Sequence, residues 1–91
     1  MERLLDLIAR IDQFDDEDVI FVKQDISPAS EAGIFRLTSD YQIPEEVKRL
    51  GYHYFLEVDT IRQVLEEFRC YPSASIEEKC RRIIQYAIND A

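Results

Sequence analysis

The sequence predicts an α+β fold: a small, mostly antiparallel three-stranded sheet, an N-terminal helix and a C-terminal helical hairpin, in the order α-β-β-(α)-β-α-α. Three observations predict it. Apolar residues recur at helical spacing near both ends of the chain. The middle holds runs rich in β-branched and aromatic residues. Between these lie short clusters of Gly, Pro, Ser and Asp that break the chain into elements. Ninety-one residues make one domain, residues 1–91. A chain of that size buries roughly 60–65% of the surface its unfolded form exposes, enough for a modest core without staples.

Leu4, Leu5, Ile8 and Ile11 share one face of a helix, which predicts a first amphipathic helix over 2–13. Its polar face sets Glu2 against Asp6, an unfavourable pair, and Asp6 before Arg10, a favourable one. Val19-Ile20-Phe21-Val22 has no polar alternation, the pattern of a strand covered on both faces. Residues 24–33 hold Asp25, Ser27, Pro28, Ser30 and Gly33 and read as a turn-rich loop. Residues 33–38 alternate in part and form a second strand, antiparallel to the first. Pro44, early Glu45 and Glu46, late Lys48 and Arg49, and Gly51 just beyond describe a short helix.

Residues 52–58 form the clearest strand, with Tyr52, Tyr54, Leu56 and Val58 on one face and His53, Phe55 and Glu57 on the other. Thr60-Ile61-Arg62-Gln63 carries a capping-box pattern, with Asp59 a competing cap, and Ile61, Val64, Leu65 and Phe68 form the stripe that follows. Pro72-Ser73-Ala74 breaks that helix. Ser75-Ile76-Glu77-Glu78 is a second capping box, ahead of a stripe at Ile76, Cys80, Ile83, Ile84, Ala87 and Ile88. Glu77→Arg81 and Glu78→Arg82 are well-oriented pairs along its surface.

The sheet so described is apolar on both faces. Either the three main helices divide between the faces, or a second chain finishes one of them. Internal cover is favoured, because buried sheets are generally covered by their own chain.

Charge is the strongest functional signal. Residues 1–46 carry 12 Asp/Glu against 4 Lys/Arg, whereas residues 47–91 carry 7 against 7, so the whole net charge of −8 lies in the first half. Asp12, Asp15, Asp16, Glu17 and Asp18 meet no basic residue between them. Such a field repels nucleic acid and anionic membrane and attracts a cationic surface. An acidic run is more often a solvated face than a docking site, and both readings stand. The run lacks the turn glycine and bidentate Glu of a calcium loop, so neither a metal nor a cofactor is expected. The loop at 24–32 adds Asp25 and Glu31 as polar contact groups, and Tyr41, in a loop, adds a large amphipathic side chain suited to an interface. These eight residues form the candidate partner-binding set. Tyr52 and Tyr54 are expected to pack beneath the C-terminal helices.

Catalysis is disfavoured. His53 is the only histidine, shares a strand face with Glu57, and has no nucleophile in an activating context. Two cysteines, Cys70 and Cys80, are too few for a disulfide framework; the turn between them leaves a bridge conceivable, but a reducing compartment disfavours it. No apolar run approaches the ~20 residues of a membrane helix. Acids within the N-terminal apolar stretch speak against a secretion signal. A cytoplasmic protein is expected.

Tyr54-Phe55-Leu56-Glu57-Val58 running into a helix, with Ile84-Gln85-Tyr86-Ala87 near the end, resembles a group of small bacterial α+β proteins of unknown function. That resemblance spans most of the chain loosely and implies a fold, not a chemistry. In size and charge alone, the chain is also similar to immunity proteins and phage-encoded inhibitors of defence systems. What this second resemblance implies is an acidic inhibitor that occludes the basic surface of a toxin, nuclease or defence complex. The alternative is a homodimeric structural or regulatory module that uses the extra apolar sheet face.

Overall fold

The computed structural model describes residues 2–90 and has the expected α+β class. Its sheet has four antiparallel strands, not three: β1 (Glu2–Arg3), β2 (Val19–Val22), β3 (Glu31–Phe35) and β4 (His53–Glu57) lie in the order β1-β3-β2-β4. Four helices accompany them: α1 (Leu4–Ala9), α2 (Glu45–Arg49), α3 (Val58–Leu65) and α4 (Ile76–Asp90).

The extra strand comes from the start of the expected first helix. Glu2 and Arg3 pair with Ala32 and Glu31 of β3. The helix begins only at Leu4, whose N–H donates to the Ser30 carbonyl at 2.8 Å, while Leu5 N–H donates to Pro28 at 3.0 Å. Main-chain oxygens of the β2–β3 loop thus satisfy donors that a helix start leaves orphaned. Leaving the helix also separates Glu2 from Asp6. Glu2 pairs with Arg10, and Asp6 with Arg3 at 3.1 Å. Beyond Ala9 the chain tightens into a 3₁₀ turn, Ile11–Gln13, so the helix is shorter than 2–13 at both ends.

All four residues of β2 are buried. Strand β3 begins earlier than expected, at Glu31, and the chain leaves the sheet after Phe35. Gly33 lets the Phe35 ring lie back over it: a Cβ there would stand 2.8 Å from that ring, which would have to shift. The short helix α2 ends in a Schellman arrangement. Gly51, at φ +84°, donates to Lys48 at 3.0 Å, and Tyr52 donates to Val47 at 3.4 Å.

In β4 the simple alternation fails. Leu56 pairs with Ile20 but Tyr54 with Phe21, so Phe55 is an extra residue in a β-bulge. The bulge turns Phe55 and Leu56 both into the larger core, and it leaves Tyr52 and Tyr54 on the opposite face from Leu56. For the same reason His53, opposite Val22, and Glu57, opposite Val19, lie on opposite faces, contrary to the expectation that they share one. Helix α3 follows at once. Its first N–H, from Val58, donates to the Asp18 carbonyl at 3.0 Å, so the helix starts without the Thr60 or Asp59 cap. A 3₁₀ turn, Glu66–Cys70, extends it. Helix α4 is capped as expected, with Ser75 Oγ accepting from Glu78 N–H at 3.1 Å. The Glu77–Arg81 pair forms at 2.8 Å, whereas Arg82 turns to Glu67 at 3.3 Å instead of Glu78.

The faces of the sheet are covered unequally. Helices α1, α3 and α4 all pack on one face, around Leu7, Ile20, Phe55, Ile61 and Ile83. The three main helices do not divide between the faces, but the chain does cover the other face itself: Val47 of α2, with Leu37, Ile43 and Tyr52, packs on Val19 and Phe21 there. Phe21 is wholly buried and meets Phe35 and Tyr54 edge-on at 5.7 and 5.8 Å between ring centres. Burial of one such ring stabilises by about 1.5–3 kcal/mol. Contrary to expectation, Tyr52 and Tyr54 therefore do not lie beneath the C-terminal helices: Tyr52 packs on this smaller core, and Tyr54, 40% exposed, meets Phe21 at its rim.

Candidate functional site

The acidic run forms the connection from the Ile11–Gln13 turn to β2. Asp18 N–H donates to the Asp15 carbonyl and Asp15 N–H to Asp18 Oδ2, both at 3.0 Å, which closes residues 15–18 into a tight turn. Two arginines brace it. Arg36, just past β3, places its guanidinium 2.9 Å from Asp18 Oδ1, 2.8 Å from Asp15 Oδ2 and 3.6 Å from Glu17 Oε2. Arg62, on α3, donates to Asp16 and to the main-chain oxygens of Phe14 and of Ile11, the last at 3.0 Å, and stands 3.9 Å from Asp12.

Five carboxylates thus meet two guanidinium groups, a residual charge of −3. The pairing weakens the field that the bare sequence suggests. It also holds the loop in one shape. Asp18 is the inner anchor, with 16% of its side chain exposed, while Asp12 and Glu17 expose 96% and 84%. Accepting from Arg36, Asp18 is also the main reason that guanidinium is held above its ordinary proton affinity; Asp15 and Glu17 add to it.

Tyr41 joins this end of the molecule. Residues 38–42 make a small loop in which Tyr41 N–H donates to Thr38 at 2.8 Å and Thr38 N–H to Gln42 at 2.9 Å. Tyr41 has φ +59° and is 84% exposed. Between this loop, the acidic turn and the paired strand residues Val19 and Glu57 runs an open groove of about 500 Å³, bordered by Asp16, Glu17, Arg36, Leu37 and Tyr41. Tyr54 donates its hydroxyl to Glu57 at 3.3 Å.

The structure therefore brings together Asp15, Asp16, Glu17, Asp18 and Tyr41, with Asp12 on the far side of Arg62. Asp25 and Glu31 lie elsewhere. Both are at the other end of the β2–β3 hairpin, about 10–15 Å away by strand rise. There Glu31 accepts from the Tyr52 hydroxyl at 2.9 Å and pairs with Lys23 at 3.2 Å, and Lys23 sits 5.3 Å from the Tyr52 ring centre. The hydroxyl bond, then Lys23, hold the Glu31 carboxyl below its usual value, while burial first, then Glu31, push the Tyr52 phenol up.

Arg36 and Arg62 are not legible in the sequence as members of this site, and Glu57 figures there only beside His53. Arg62 carried a faint signal, as a cation bordering the apolar stripe of Ile61 and Val64. Arg36 stands alone among uncharged neighbours and gave none. Among the described residues, no group of three or more His, Cys, Asp and Glu side chains converges to hold a metal ion. Nor is any described helix long and apolar enough to cross a membrane. Comparison of the chain with protein-family models, curated proteins and solved structures finds no match.

Proposed function

We propose that this chain is a non-catalytic protein-binding module of the inhibitor or immunity type, cytoplasmic, that covers a basic surface on a nuclease, toxin or nucleic-acid-binding partner. One observation carries the reading: a braced turn at 15–18 whose exposed rim keeps more carboxylate than guanidinium, with Tyr41 beside it. An ordered loop costs less entropy on docking than a mobile one. Its negative rim raises the rate of encounter with a cationic surface and discriminates against anionic ones. Two free cysteines fit a reducing compartment.

The alternative, a homodimer through an open sheet face, loses that surface, because Val47, Leu37 and Ile43 occupy it. Titration of the labelled chain with a polyarginine peptide at low and high salt tests the proposal. Docking at the braced turn shifts the amides of 15–18, 36 and 41, and weakens as salt rises, because exposed charges are screened within about 8–10 Å. No binding, or shifts confined to α4, overturns it. Light scattering after size exclusion tests the alternative: a tight dimer indifferent to salt would favour it.

A further inference from the structure

We infer that the groove between Tyr41 and Glu57 is a slot for a single arginine side chain of the partner, an inference that rests on the basic-surface reading above. Its walls differ in chemistry in a way that suits one long cationic side chain. Leu37, half-buried, gives the cleft an apolar wall, while Val19 at its base is buried. Tyr41 offers an exposed ring and Glu57 a carboxylate to the same groove.

Glu57 is not part of the acidic run. It belongs to β4, directly across from Val19, and among the described residues no cation pairs with it. The Tyr54 hydroxyl holds Oε1 at 3.3 Å and leaves Oε2 to accept another donor. Arg36 borders the same groove, but its guanidinium is engaged by Asp15, Glu17 and Asp18. A planar guanidinium matches such a slot better than an ammonium. It stacks on a tyrosine face and donates to the open carboxylate oxygen, and its stem has apolar character to lay on the half-buried Leu37. At about 500 Å³ the groove is in the size range of clefts that enclose small ligands.

The test is binding of a polyarginine peptide to the full chain by fluorescence anisotropy, with a polylysine peptide in parallel. Glu57→Gln and Tyr41→Ala should each weaken polyarginine binding about 3- to 30-fold, and weaken polylysine binding less. Tyr41→Phe should keep the affinity, since the ring remains. Tyr41→Asn, whose side chain tolerates the left-handed backbone, provides a second ringless variant. Glu78→Gln, on α4, removes the same charge far from the groove and controls for net charge. If Glu57→Gln and both ringless variants weaken binding no more than Glu78→Gln, the slot is wrong while docking on the acidic face stands. If the unsubstituted chain ignores polyarginine, both readings fall.

Discussion

The Arg62 guanidinium donates to the Ile11 carbonyl at 3.0 Å, joining α3 to a turn fifty-one residues earlier in the chain. The same group satisfies Phe14 and Asp16 and is 28% exposed. Arg36 makes three ion pairs against two for Arg62, but is 52% exposed. Burial decides which matters more for stability. Arg62→Ala takes the donor from the Phe14 oxygen and leaves Ile11 only the Phe14 N–H, so it should cost about 1.5–3 kcal/mol. Arg36→Ala breaks only solvent-screened pairs and should cost under about 1 kcal/mol. Urea unfolding of both variants checks this; equal losses would show that Arg62 is no more than a surface brace. Arg62→Lys should recover little, because an ammonium cannot reproduce the fork of donors.

Val47 is the one buried residue that α2 contributes, and it lies against Val19 and Phe21. If α2 is the lid of the smaller core, Val47→Asp should bury an unpaired carboxylate or expose Phe21. Either route costs several kcal/mol, a large share of the ~5–10 kcal/mol available to a small domain. Val47→Ala should cost less, about 1–3 kcal/mol, as a simple loss of buried methyl groups. Thermal unfolding with a dye that reports exposed apolar surface would separate these. A harmless Val47→Asp would mean that this face tolerates water.

Glu31 supplies the pH dependence. The Tyr52 hydroxyl and then Lys23 favour its charged form, so its folded pKa lies below the ordinary 4.5. A carboxyl lowered on folding adds stability above its unfolded value and loses it as pH falls through the folded one. Glu31→Gln should therefore destabilise the chain at neutral pH, with the difference from the parent shrinking on acidification below about 4.5. For Tyr52 the sign is reversed. Burial raises it above 10.0, so its share of stability is present below that pH and is lost above it. Carbon-detected titration of Glu31 gives the value directly; a midpoint above 4.5 would refute the assignment.

What was legible before the structure follows from which forces are local. The runs at Val19 and at Ile76, the Ser75 cap and the Gly51 stop are short-range signals, and each appears where periodicity and capping place it. The strand at Glu2 and Arg3 was not legible, because its partner, Glu31–Phe35, is thirty residues away and two loop carbonyls set the helix start. Nor was the bulge at Phe55, since strict alternation assumes an unbroken ladder. The acidic run was visible as charge but not as a braced turn. Its counter-ions come from β3's exit and from α3, and no sequence window contains all three.

The two cysteines should behave as different chemical groups. Cys80 sits wholly within the core of α4, and burial pushes its thiol up to about 11. At pH 8 only about one molecule in a thousand would hold it as thiolate, and reagent has no path to it without opening the helices. Cys70, exposed at the end of the turn after α3, has no such shield. Ellman's reagent should thus titrate one thiol rapidly in the folded chain and the second only at the rate of unfolding, with both rapid in denaturant. Cys70→Ser should abolish the fast phase without moving the unfolding midpoint. Cys80→Ser places a hydroxyl among Leu, Ile and Val side chains and should cost about 1–3 kcal/mol. Two fast thiols in the native chain would mean that α4 does not stay seated on α1 and α3, and the larger core would have to be redrawn.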